Sequence, residues 1–417
     1  MKNTDFKNYV GLSETHGNLP ELVEANGSYI FDESGRRYVD LCSANGSVAL
    51  GHGNELSRNM ALRQMKKPPS FKSYGENDRS VVIQYAKFLS LYFDNLPQDD
   101  TLVEVDSPHN QVYFTDSGLS PADFTLKALR DYTAYGGVVL MENAGHADGH
   151  GSLQPAWSSD SRKSVMTARM ETEWIDPFAF DVEKELNSVD WRDKAAVFVE
   201  LVQTKNGVLP LPVDFVKALR DKCKKERVPF VVDESFTGFG RTGRMFAQET
   251  YGVTADITIL GGAGGGGFPF GAVVAPKTIM DSVSLDGLPS SIFAGDPVAC
   301  SAGLSIITQL TENTLQDSRK VSKAILEGLQ ELTEEFPDFL SEVYGMGMSI
   351  GLELSPEVDV VDFRDSVFRS GALLNMNKGS KGKFNLSIVP ALNLPKDEVD
   401  VILDAVYEAL SGLAESS

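Results

Sequence analysis

Val231–Ala275 reads VVDESFTGFGRTGRMFAQETYGVTADITILGGAGGGGFPFGAVVA, and its punctuation sets the fold class. The apolar run Pro229–Asp233 ends in a carboxylate, and the Gly-rich turn Thr237–Gly243 follows. Ile257–Leu260 is a second short apolar run, closed by the loop Gly261–Phe268, and Gly271–Ala275 is a third. Short β-branched runs bounded by glycine turns read as buried strands. Polar and glycine residues gathered just past strand ends are what a ligand site at the carboxyl edge of a sheet requires.

Working outward, the same grammar repeats. Gln111–Thr115, Gly137–Met141 and Ala195–Leu201 are further apolar strands, and Pro121–Ala134 and Val213–Arg227 have helical patterning. Strands spaced by helices predict a parallel sheet covered on both faces. Tyr29–Leu41 reads as two short strands around the turn Glu33-Ser34-Gly35, with Gly51-His52-Gly53 after them. Past Asp296-Pro297 a long helical region runs to about Phe336, then strands at Met348–Leu354 and Asn385–Val389 and a closing helix at Asp397–Ala414. The basic cluster Lys222–Arg227 is the solvated end of a helix.

Bulk properties bound the function. At 417 residues the chain exceeds one compact core. Its net charge of −21 disfavours a nucleic-acid partner, whose phosphates it would repel. Cys42, Cys223 and Cys300 are far apart and lack ligand spacing, so neither a disulfide framework nor a metal site is expected. No signal core or membrane-length apolar run occurs, and a cytoplasmic location is expected.

Together these motifs resemble the class III aminotransferases, a fold type I family dependent on pyridoxal phosphate. The resemblance spans nearly the whole chain. It implies a three-layer α/β/α large domain with a mostly parallel sheet, and a small α+β domain built from both termini. The expected divisions are 1–54, 55–315 and 316–417. It also implies a homodimer, or a heterodimer with an active paralogue.

Site residues follow from the resemblance position by position. Ser117-Gly118-Leu119, between a strand and a helix, matches the turn whose N–H groups take the cofactor phosphate. Asp233 matches the carboxylate that keeps the pyridine nitrogen protonated. Several other positions depart. The lysine that should carry the cofactor is Gly262, and a Schiff base needs a primary amine that glycine cannot offer. The aromatic before His146 has become Gly145, and the phosphate-binding threonine is Ile292. After Asp233-Glu234 the family's Val-Gln has become Ser235-Phe236, and Phe236 is a replacement aromatic wall or a filler of an emptied pocket. A Glu–Arg pair near the substrate carboxylate has become Lys205 and Ser387.

An ordinary transaminase mechanism is hard to sustain without the tether and base at position 262. The sequence therefore favours a repurposed pocket, with non-Schiff-base chemistry or a small-molecule ligand, or a non-catalytic subunit. Glu200, His146 and Lys205 are the candidate catalytic groups. The alternative is an aminotransferase or aminomutase acting on an amino acid or amine. It would hold pyridoxal or pyridoxamine phosphate non-covalently or through another lysine. On either reading cofactor binding is weakened, and it is absent if the pocket is retired.

Overall fold

The computed structural model describes residues 20–67, 80–97, 110–115, 121–145, 171–284, 293–379 and 384–416. In chain order the strands are β1 (Leu22–Asn26), β2 (Tyr29–Asp32), β3 (Arg37–Leu41), β4 (Asn110–Thr115), β5 (Gly137–Met141) and β6 (Thr172–Ile175). Then come β7 (Lys194–Val199), β8 (Val202–Gln203), β9 (Leu209–Pro210), β10 (Phe230–Glu234), β11 (Ile257–Gly261) and β12 (Gly271–Pro276). β13 (Leu340–Gly345), β14 (Ile350–Leu354), β15 (Ala372–Lys378) and β16 (Phe384–Ile388) complete the set.

The expected large sheet forms with seven strands in the order β4-β12-β11-β10-β7-β5-β6. β6, β5, β7, β10 and β11 pair in parallel, and β12 runs antiparallel to both β11 and β4. Strands β5, β7, β10, β11 and β12 are buried at every residue. That explains their unbroken apolar runs, since both faces meet helices. β10 is pinned at its start by a buried ion pair. Arg220 of helix Val213–Glu226 donates to Asp256 at 2.8 and 3.2 Å, and Asp256 also accepts from the Phe230 N–H.

A second seven-stranded sheet, β1-β2-β3-β15-β16-β14-β13, joins N-terminal and C-terminal strands, with β3 parallel to β15. The hairpin expected over Tyr29–Leu41 is β2–β3, and β1 adds to it as an antiparallel edge. The long helical region after Pro297 is two helices, Pro297–Gln309 and Glu312–Glu335. Thr311 causes the break by capping the second helix, its side chain accepting from the Thr314 N–H. The expected strand Ala195–Leu201 stops at Val199, because Val202–Gln203 turns away to pair with β9.

No helix among the described residues is long and apolar enough to cross a membrane. Cys42, Cys223 and Cys300 are free thiols, and burial pushes all three upward in pKa.

Candidate active site

The carboxyl ends of β5, β7, β10 and β11 converge on a cavity of about 360 Å³, which the second sheet closes from the other side. Asp233 and Ser235 come from the end of β10, Ile259 from β11, Gly262 from just past β11, and Glu200 from just past β7. Asn45 and Ser47 follow β3, and Asn377 lies in β15.

Asp233 is 8% exposed, and its Oδ1 accepts the Ser235 N–H at 2.9 Å. Its neighbour Glu234 points to a different task. Glu234 is fully buried and accepts from the Thr237 hydroxyl and from the Ala247 and Gln248 N–H groups at the start of helix Ala247–Tyr251. Burial still pushes its carboxyl up to about 7 against those hydrogen bonds. Adjacent residues of a strand face opposite sides, so one carboxylate lines the cavity while the other caps a helix.

The Gly-rich turn Thr237–Gly243 locks the cavity's two sides together through Arg241. This guanidinium is 2% exposed and has no carboxylate partner among the described residues. It donates to the carbonyls of Met348 (2.9 Å), Pro390 (2.6 Å) and Gly46 (3.4 Å). Burial lowers its pKa to about 10. Gly46 sits between the lining residues Asn45 and Ser47, so Arg241 holds that loop against the large sheet.

Gly262 lies on the cavity wall with φ +47°, in the left-handed region that favours glycine. A Cβ there would stand 3.0 Å from the Ser235 carbonyl and 3.6 Å from Ser47 Oγ. Across the cavity, Gly145 donates its N–H to Glu200 Oε2 at 2.9 Å. A Cβ on Gly145 would fall 2.9 Å from Lys205 Cγ and 3.0 Å from Thr204 Oγ1. Two ties set the Lys205 turn. Gln203 Nε2 donates to the Glu142 carbonyl at 2.7 Å, and Asn385 Nδ2 donates to the Lys205 carbonyl at 3.0 Å.

The structure thus gathers Asp233, Glu200, Lys205, Phe236 and Gly262 on one cavity. Ser387 is not on that wall. It is buried inside the second sheet, its hydroxyl accepting from Asn375 Nδ2 at 3.2 Å. Through its register opposite Asn375, Ser387 shares a sheet face with the lining residue Asn377, and its short side chain ends on Asn375 rather than on the cavity wall. Ser117, Gly118, Leu119, His146 and Ile292 lie outside the described residues; Pro121 and Ala122, just beyond the first three, line the cavity. Sequence reasoning missed Asn45, Ser47, Thr204 and Asn377. The available signal was the small polar turn Ser43–Gly46, whose four residues all have positive φ.

A sequence profile described as "Aminotransferase class-III" matches residues 13–410. The chain belongs to the class III aminotransferase family. Within it, the chain is 30% identical over 339 residues to the [LysW]-aminoadipate semialdehyde/glutamate semialdehyde transaminase of Sulfurisphaera tokodaii, covering 80% of this chain and 81% of that one. It is 29% identical over 410 residues to the acetylornithine aminotransferase of Methanocaldococcus jannaschii, covering 95% of each. The fold of this class III aminotransferase family member matches the ornithine aminotransferase of Toxoplasma gondii with a TM-score of 0.85. That match is at 21% identity and covers 99% and 94% of the two chains. The Toxoplasma structure holds pyridoxal phosphate at partial occupancy at its active site.

Among the residues described here, the donor set fits recognition of that cofactor in one respect and not in another. A buried carboxylate, Asp233, lines the cavity, and its chemistry would suit a protonated pyridine nitrogen. Just past β11, at the position expected from the sequence to hold a linking lysine, the residue is Gly262, which offers no amine.

Proposed function

We propose that this class III family member is an aminotransferase-type protein for an amino-acid ligand, with its pyridoxal-type cofactor held by non-covalent contacts alone. The observation that carries the reading is Gly262 in a left-handed turn beside a retained, buried Asp233. Family membership and the transaminase names of the two relatives support the amino-acid class. Sequence alone weighted a repurposed or non-catalytic pocket more heavily. An open cavity of about 360 Å³ that keeps Asp233, Glu200 and Lys205 favours a working ligand site instead.

When bound, the cofactor supplies a carbonyl or amino group for exchange and a ring that delocalises electrons. Asp233, oriented by the Ser235 N–H, would accept from the pyridine nitrogen and so favour its protonated form. Glu200, fixed by the Gly145 N–H, and Lys205 are the titratable wall groups able to hold or move a proton at the substrate. Gly262 supplies neither tether nor base.

A second reading places the covalent link on Lys205, and its position on the cavity wall favours it. Titration with pyridoxal phosphate followed by gel filtration separates these readings from a retired pocket. The proposal expects saturable one-to-one binding that is lost on the column. Absence of binding would return the chain to a non-catalytic role.

A further inference from the structure

We propose that Lys205 selects the pocket's ligand by binding its carboxylate, and that glycine stands at position 145 because the lysine stem needs that room. The inference rests on the amino-acid reading above and narrows it to ligands that carry a free carboxylate, excluding amines that lack one.

The steric observation comes first. A Cβ at residue 145 would lie 2.9 Å from Lys205 Cγ, closer than real Cβ atoms approach, as well as 3.0 Å from Thr204 Oγ1. Cγ is near the root of the lysine, so rotation of the distal stem cannot relieve the clash. The φ of Gly145 lies outside the left-handed region, so its backbone does not call for glycine. Space does. The lysine cannot retreat cheaply either, because Asn385 holds its carbonyl from β16 and Gln203 anchors the same turn to Glu142.

The chemical observation is the sign of the wall. Lys205 is the one cation among the described residues lining the cavity, and Glu200 and Asp233 line it too. In a chain of net charge −21, a cation on this wall is a local reversal of the prevailing charge. One ammonium and two carboxylates complement a zwitterion, with the ligand carboxylate on Lys205 and its ammonium on the acidic side. A lysine binds as a compact point charge and so accepts a carboxylate without demanding a bidentate geometry.

Calorimetry on the full chain, with L-glutamate and butylamine as probes, tests this together with melting temperatures. L-Glutamate should bind saturably and butylamine about tenfold more weakly or worse. Lys205→Met keeps the stem and removes the charge, so it should lose about tenfold or more in glutamate affinity with its melting temperature preserved. Gly145→Ala should lower the melting temperature by about 2 °C or more through overpacking. Lys205→Ala in that background should recover most of the loss, because the clashing Cγ is gone. The inference is overturned if Lys205→Met binds glutamate like the wild type, or if Gly145→Ala melts and binds unchanged. It is also overturned if wild type takes no glutamate at millimolar concentration. Pyridoxal phosphate binding, measured separately on the same preparation, then shows whether the underlying reading has failed as well.

Discussion

Two parts of the cavity are built on opposite principles. The arm Asp233–Gly243 is held by side chains, with Glu234 accepting two hydrogen bonds from a helix start and one from the Thr237 hydroxyl, and Arg241 tying three carbonyls together. The wall formed by Gly145 and Gly262 is shaped by side chains that are missing, and Lys205 and Ser235 occupy the margins of that space. The contrast teaches that scaffold and chemistry are separable in this fold. The arm resists change because Glu234 and Arg241 are buried and tied by several hydrogen bonds, whereas the wall can exchange a reactive group for room.

The largest expected effect falls on the arm. Arg241→Ala strips the donor from three buried carbonyls and leaves a void, at a cost of about 4 kcal/mol in urea unfolding. A loss under about 1 kcal/mol would break the comparison, because the arm would then be no better tied than the wall.

Next in size is a pH effect. The folded Glu234 carboxyl, at about 7, lies above its ordinary value of 4.5. Its contribution is present in full below about pH 4.5 and is lost as pH rises through 7, because the folded state binds the proton more tightly. Between pH 5 and 8 the wild type should lose about 2 to 3 kcal/mol relative to Glu234→Gln, read from paired urea midpoints. A constant difference between the two proteins would mean that the three donors hold Glu234 ionised throughout.

The smallest effect belongs to the wall. Gly262→Ala should cost about 1 to 2 kcal/mol, from the left-handed φ and the tight approach to the Ser235 carbonyl. A neutral or stabilising result would show that the wall accepts a Cβ and that glycine there is not a matter of shape.

The sheet was legible because its strands carry continuous apolar runs that only a doubly covered parallel sheet needs. β10 and β11 therefore stand within a residue or two of where Pro229–Asp233 and Ile257–Leu260 placed them. The β1 edge was missed because all five of its residues are exposed and lack a core-facing pattern. In the site, Asp233 and Lys205 were marked by the family motifs they match, and the structure puts both, with Glu200, on one cavity. Ser387 lies on the same sheet face as the lining Asn377, and its short side chain, bonded to Asn375, stops short of the wall. Asn45, Ser47 and Asn377 come from strands and loops distant in sequence, and tertiary closure brings them to the cavity, with Arg241 tying the loop that holds Asn45 and Ser47. The coupling of Gly145 to Lys205 was invisible in sequence, since a contact across sixty residues leaves no local signature.

The central claim is that Gly262 leaves a cofactor-binding pocket without a covalent anchor. Saturating the protein with pyridoxal phosphate, reducing with borohydride and mapping the peptides by mass spectrometry tests it most directly. The account predicts one-to-one binding before reduction and no stoichiometric lysine adduct in the pocket after it. A stoichiometric adduct on Lys205 would contradict it.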